Sequence, residues 1–325
     1  MLNLYLCLVL ASLTHVKAFL LDDSCQRRCG AGFDKAFSCQ CNTQCLKYND
    51  CCTEYTAICT SAAPSTCGEF AELTQQLWDN DVDRLASADV TINQQAQVGY
   101  TDFSDKAPQR LFTYVDETKL TSRVYSTYLA LLDNYDPDKY DPEVVTASER
   151  AEEDAFLDAI LSTATMKRLF DYLNCEGKVQ SMSDMRSMLR RLWFELYRRS
   201  PSSASLDTSG FEHVMAGEYK SSTVVNGLHY WLAFYQGEKG GEINYYGHSC
   251  ATRFNSICAA YEWNGRRKQN SSFFLRSSPA FDMAVYTLCF TVYPSQVCPV
   301  VIDGRTVNIK TYITQGHVST AFIAS

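Results

Sequence analysis

Apolar positions at Phe70, Leu73, Leu77 and Trp78 follow i, i+3, i+7, i+8 spacing and predict a helix with one buried stripe. Residues 183–199 repeat the pattern. Met185, Met188, Leu189, Leu192 and Leu196 form the buried side, and Arg186, Arg190, Arg191 and Arg198 the outer one. Val225, Leu228, Leu232 and Tyr235 predict a further helix carrying His229. The period then changes. Val300-Val301-Ile302 and the alternating Val307, Ile309, Thr311 and Ile313 read as strands, with Asp303-Gly304 as the hairpin turn between them. Helices first and strands later predict an α+β domain over residues 67–325. No internal repeat interrupts it.

The amino terminus differs from both patterns. Residues 2–13 are almost wholly apolar and are followed by Val16-Lys17-Ala18, which predicts a signal peptide over 1–18 and a secreted protein beginning near Phe19. No later run approaches the ~20 apolar residues a membrane span needs, so none is expected. Of 15 Cys, Cys7 leaves with the signal. Eight (Cys25, Cys29, Cys39, Cys41, Cys45, Cys51, Cys52 and Cys59) crowd one short segment, and Cys67, Cys175, Cys250, Cys258, Cys289 and Cys298 are scattered. Even numbers in a secreted chain predict disulfides. The short segment is too small to bury a sufficient core, so cross-links must substitute. Spacing alone does not choose among the roughly 105 pairings of eight cysteines, nor pair the scattered six. Residues 61–66 are small and polar around one Pro and read as a linker between a module at 21–60 and the domain at 67–325.

With 325 residues, 46% hydrophobic, the chain can bury real cores and is not disordered. A net charge of -8 excludes coating of nucleic acid by bulk electrostatics, so any such role needs a local basic patch. Histidine is scarce, with five in the chain. His213 lies in Gly-Phe-Glu-His-Val and His229 in Gly-Leu-His-Tyr-Trp, while His248 and His317 are read as structural or exposed. Neither His213 nor His229 has another ligand at i+3 or i+4, which disfavours zinc. Trp263-Asn264-Gly265-Arg266-Arg267-Lys268 combines a Gly turn with three cations, the makings of a small anion site. No Gly-x-Ser-x-Gly supports a serine hydrolase.

The cysteine spacing, with Cys-Gln-Cys and Asp50-Cys51-Cys52-Thr53-Glu54-Tyr55, resembles a somatomedin-B domain. In the best-known member this module binds protein partners through an acidic and aromatic patch around the fifth cysteine. Of that patch only Tyr48 is retained in Asn42-Thr43-Gln44-Cys45-Leu46-Lys47-Tyr48, so that specific binding is not expected; the segment reads as a small disulfide-held accessory module, with an extracellular protein partner as a candidate. The ordered set Gly-Phe-Glu-His-Val, Glu218, Gly-Leu-His, Trp-Asn-Gly-x-x-Lys and a Ser-Phe-Phe run resembles the EndoU family of poly(U)-specific endoribonucleases. Leu77-Trp78-Asp79-Asn80-Asp81-Val82 and Ser278-Pro279-Ala280-Phe281-Asp282-Met283-Ala284 match further family segments, and the resemblance spans 67–325.

The resemblance implies a two-lobed domain, helical first and strand-rich at its catalytic end, cleaving single-stranded, U-containing RNA to 2',3'-cyclic phosphates. His213 would be the base, His229 the acid and Lys268 the oxyanion stabiliser. Ser272 (with Ser271 its rival), Thr320 and Phe322 would bind substrate, Phe322 standing where the family has Tyr. Glu212 and Glu218 would be candidate ligands for Mn²⁺ or Ca²⁺ in an activating role, with no organic cofactor. A monomer is expected. Asn270-Ser271-Ser272 is a glycosylation sequon, and either Asn270 is unmodified or its side chain points away from the cleft. The alternative is an extracellular binding scaffold with an inactive EndoU domain.

Overall fold

The computed structural model describes residues 25–324 except 26–27, 30–31, 36, 43, 57–58, 60–66, 103, 139–144, 200–205 and 251–254. The expected signal peptide (1–18) and linker (61–66) lie outside the described residues. The chain divides into two compact units, 1–63 and 64–325.

In the first unit, disulfides join Cys25–Cys41, Cys29–Cys59, Cys39–Cys52 and Cys45–Cys51. The apolar interior consists of Cys25, Cys41, Cys45, Cys52 and Tyr55, so covalent cross-links replace a conventional core. A single helical turn, α1 (Cys45–Tyr48), ends at Asn49 in the left-handed region, where a short amide side chain is tolerated.

The second unit starts with α2 (Phe70–Asp79), which buries Leu73, Leu77 and Trp78 as its stripe predicts. A β1–β2 hairpin (Val90–Ile92, Phe112–Val115) and α3 (Arg123–Ala130) follow. Next comes α4 (Ala147–Leu161), which opens on a reciprocal Thr146–Glu149 capping box. Then come α5 (Ala164–Cys175) and α6 (Met182–Trp193). The predicted helix at 183–199 is therefore shorter than its apolar pattern. Phe194 ends it, and Tyr197 pairs instead with Thr208 in an extended bridge, leaving Leu196 and Arg198 outside. Cys67–Cys175 ties the approach to α2 to the end of α5.

The strand-rich part holds β3–β4 (Glu218–Tyr219, Val225–Asn226) and α7 (Trp231–Gly240). An antiparallel sheet β5-β6-β7 follows (Ile243–His248, Ser256–Trp263, Arg266–Phe274). After α8 (Pro279–Val292) comes a second antiparallel sheet of β8 (Val297–Ile302), β9 (Arg305–Thr314) and β10 (His317–Ile323). Residues 279–290 of α8 are all buried. A helix that is apolar on every side belongs in a core, and α8 packs against α5 and β9. The 303–304 turn forms where predicted, with φ 51° at Asp303 and 71° at Gly304. Cys250–Cys258 and Cys289–Cys298 complete the pairing of all six scattered cysteines. No helix among the described residues is long and apolar enough to cross a membrane.

His229 is not helical. The apolar spacing around it is interrupted by Gly227 (φ 62°) and Leu228 (φ 59°), and α7 begins only at Trp231. Two consecutive left-handed residues reverse the chain, a local choice that periodicity does not encode.

Candidate active site

A π-helical turn over Glu212–Ala216 carries His213, closed by Gly217 donating to the Glu212 carbonyl at 2.6 Å. Wide turns of this kind are rare and concentrate at functional sites. Gly217 adopts φ 95°, and a Cβ there would meet Leu228 at 2.8 Å and Trp263 at 2.9 Å. The left-handed Gly227–Leu228 step lays the next segment directly on this turn. Leu228 N–H donates to the His213 carbonyl at 2.8 Å and His229 N–H to the Val214 carbonyl at 2.7 Å. A Cβ on Gly227 would lie 1.8 Å from the His213 oxygen, so no other residue fits. This contact sets the two imidazoles 6.1 Å apart, centre to centre.

Strand β7 supplies the third group. Against β6, Ala259 pairs with Ser271 and Tyr261 with Lys268, so Gln269 and Asn270 together face Ala260 in a β-bulge. Lys268, Asn270 and Ser272 line one cavity of about 320 Å³ together with His213, His229, Arg199, Asn226, Thr320, Phe322 and Ile323. The cations at 266–268 do not form a joint anion site. Strand alternation turns Arg267 to the other face, over Tyr246 (4.3 Å), while Arg266 is taken up over Tyr219 (3.9 Å). Only Lys268 reaches this cavity.

The hydrogen bonds fix both tautomers. His229 Nδ1 lies 3.1 Å from the Ser272 carbonyl oxygen, which can only accept, so Nδ1 carries the proton. His213 Nδ1 lies 2.8 Å from Glu218 Oε1 and donates to that carboxylate. In each ring Nε2 remains as the titrating nitrogen. Burial, reinforced by Arg199, outweighs Glu218 and lowers His213 to about 4. Burial, then Lys268, then His213 push His229 well below its ordinary value. Both rings are therefore neutral in the free site. Lys268 is half-buried and burial lowers it to about 8, with Lys220 and Arg199 acting against Glu218, so it stays cationic at neutral pH.

Glu218 is fully buried. Its Oε1 faces His213 (2.8 Å), Asn226 Nδ2 (2.8 Å) and Arg199 Nε (2.9 Å), and its Oε2 accepts from Thr208 Oγ1 (2.7 Å). Burial alone would raise this carboxyl, but His213 and Arg199 overcome it and hold it at about 2. With three donors on Oε1, one on Oε2 and no solvent exposure, this carboxylate is committed to protein partners rather than to the divalent ion expected at Glu218. Glu212 is equally buried and accepts from Ser209 N–H at 3.2 Å. Neither carboxylate lines the cavity, and this donor set does not fit a Mn²⁺ or Ca²⁺ centre. Among the described residues, the one cluster of potential ligands is Cys25, Cys41 and Cys52, all in disulfides.

The substrate candidates also sort by position. Ser272 lines the cavity and donates to the Ile323 carbonyl at 2.7 Å, whereas its rival Ser271 is fully buried against Leu228. The Phe322 ring lies nearly parallel to His229 at 5.5 Å, and Thr320 lines the same wall. Asn270 is exposed, accepts from Ser249 Oγ at 2.9 Å and is among the residues lining the cavity, which favours the unmodified arm of the expectation over a side chain pointing away. Arg199 was not anticipated. It enters the site only because the Tyr197–Thr208 bridge turns its segment inward, and its guanidinium also donates to the Ser319 carbonyl at 3.0 Å. His248 and His317 bond to backbone carbonyls of Gln94 and Arg191 and stand outside the cavity.

Comparison with known proteins matches residues 69–324 to the family of endoribonuclease XendoU and residues 23–62 to the somatomedin B domain. The chain is 35% identical to the uridylate-specific endoribonuclease of Bos taurus, over 94% of this chain and 79% of that protein. It is 36% identical to uridylate-specific endoribonuclease D of Xenopus laevis, over 77% of this chain and 84% of that one. The solved structure of XendoU, described as a splicing-independent snoRNA-processing endoribonuclease, superposes with a TM-score of 0.67 at 34% identity, covering 79% of this chain and 97% of that one.

Proposed function

The chain belongs to the XendoU endoribonuclease family and carries a somatomedin B domain, and from that premise we propose that it cleaves single-stranded RNA after uridylates by 2'-OH transesterification. The observation that carries this reading is the pair of neutral imidazoles, each with Nδ1 committed as a donor and Nε2 left to titrate, beside the cations Lys268 and Arg199. His213 Nε2 takes the proton from the ribose 2'-OH, whose oxygen attacks the adjacent phosphorus. His229 Nε2–H then protonates O5' as the P–O5' bond breaks. The products are a 2',3'-cyclic phosphate and a 5'-hydroxyl, and DNA, lacking the 2'-OH, is inert. Lys268 and Arg199 stabilise the phosphorane's charge.

His229 must enter the step protonated, yet burial and Lys268 hold it neutral in the free site. The bound phosphodiester, an anion beside it, raises its proton affinity, so the acid is made by the substrate it serves. Glu218 positions His213 and stabilises its imidazolium once formed. Mn²⁺ or Ca²⁺ is assigned an activating role outside these proton transfers.

The Ser272 hydroxyl offers a basis for uridine preference. Its proton is committed to Ile323 O, leaving only lone pairs toward the cavity, which suit the donor N3–H of uracil and not the acceptor N3 of cytosine. Phe322 gives the base a stacking face worth ~1–3 kcal/mol. A dense disulfide framework and the somatomedin B module support a working site outside the cell. Asn270 in that setting stays unmodified, because a glycan there would occupy the cavity mouth.

The test is an RNA containing one uridine, incubated with Ca²⁺, Mn²⁺ or chelator, with product masses read beside a His213→Ala control. Cyclic phosphate after the uridine, absent from the control, supports the reading. Intact RNA under every condition from well-folded protein overturns it in favour of the binding scaffold.

A further inference from the structure

A second, larger cleft of about 630 Å³ borders the segments that carry the two histidines, at Ala216, Gly217 and Leu228. Its walls include Trp263, Tyr219, Tyr135 and Leu228, and its ionisable lining is Asp133 and Glu242. No Lys, Arg or His lines it among the described residues, whereas the RNA-facing cavity is lined by Arg199, Lys268 and two His and by no carboxylate. The two concavities therefore have opposite charge preferences, and the larger one repels a phosphate backbone.

Aromatic rings carry a negative face that attracts cations, most strongly from Trp and Tyr. The chain's own Arg266 guanidinium already covers one face of Tyr219, 3.9 Å from its ring centre, so the aromatic partner for a ligand cation is Trp263. Trp263 meets Tyr219 edge to face at 4.9 Å, and its indole N–H points to Glu242 Oε2 at 3.4 Å, a long contact that a ligand can displace. The volume falls within the range of small-molecule sites, and an apolar wall with two carboxylates fits one charge type.

We infer that this cleft is a binding site for a small organic cation with an aromatic or aliphatic body, held against Trp263 and neutralised by Asp133 and Glu242. The site stands independently of the ribonuclease reading, because its occupant is not the RNA.

The indole N–H resonances supply the test. Of the four tryptophans, Trp78, Trp193 and Trp231 are buried and Trp263 is half-buried. The intact protein is titrated with benzyltrimethylammonium and, separately, with benzenesulfonate as a probe of similar size and opposite charge. A Trp263→Phe variant assigns the resonance. The expected result is a saturable shift of the Trp263 signal by the cation alone, with affinity lowered about tenfold in Asp133→Asn/Glu242→Gln. Both replacements are exposed, and Gln keeps the acceptor for the indole. No saturable shift, equal binding of the sulfonate, or unchanged affinity in the double variant each overturns the inference.

Discussion

Glu218→Gln separates a positioning carboxylate from a metal ligand, and its size can be worked from the contacts. The amide oxygen can replace Oε1 toward His213, Asn226 and Arg199, and the new NH₂ can meet Thr208 Oγ1, which has a second partner in the Ser209 carbonyl at 3.4 Å. Geometry is thus kept and charge lost. For stability, His213 and Arg199 hold the carboxyl below its ordinary range, so its charge favours the folded state. Removing one partner of a buried ion pair costs ~3–5 kcal/mol, and Arg199, 15% exposed, is the charge left behind. Because the folded value is depressed, this contribution is present above 4.5 and lost as pH falls toward 2. The variant's stability curve lacks this contribution in that window. For activity, the imidazolium formed at His213 loses a charge-assisted bond worth ~1.5–3 kcal/mol, so kcat falls about 10- to 150-fold with KM little changed. Urea denaturation against pH and steady-state kinetics across a Mn²⁺ series measure both. Wild-type kcat in Glu218→Gln, or a requirement for much higher Mn²⁺ that restores full activity, refutes the positioning role.

Replacing Lys268 with Met removes the second cause, after burial, of the depressed His229. The His229 ring titration followed by NMR moves upward while kcat drops about 10²–10³-fold, as for loss of an oxyanion donor. Phe322→Tyr restores a hydroxyl beside the base and raises the uridine/cytidine discrimination ratio with cleavage retained; a ratio no higher than that of the parent contradicts this. Buried Asp81 is raised to about 6 from 3.8 by desolvation, so it favours the folded state below 3.8 and that advantage is lost as pH rises through 6. Asp81→Asn keeps an acceptor for Ser278 N–H, flattens the curve in that window and stabilises the protein at neutral pH by up to about 3 kcal/mol, read from the unfolding midpoint.

What the sequence disclosed and what it hid follow from the range of the interactions. The α2 stripe and the β8–β9 hairpin were legible because burial periodicity and turn chemistry are local. His213, His229 and Lys268 could be picked out by motif order, and the fold brings all three to one cavity. The helix expected around His229 failed because two left-handed residues outweigh apolar spacing, although Gly227 itself was a visible signal. Arg199 was hidden, being set by an isolated bridge to Thr208 rather than by neighbours in sequence. The fate of Glu218 was hidden too. A carboxylate five residues from a His reads equally as ligand or partner until Arg199, Asn226 and Thr208 are seen around it. The bulge at 269–270 has no sequence mark that we can name.

The acid–base assignment is tested most directly with RNA carrying sulfur in place of the bridging O5' of the nucleotide that follows the scissile uridine. A thiolate leaves without protonation, so the general acid becomes dispensable while the general base does not. His229→Ala should then cleave the thio-substrate at a rate close to that of the unmodified protein, and His213→Ala should remain inactive. Rescue of His213→Ala instead would reverse the two roles, and rescue of neither would contradict the two-histidine mechanism.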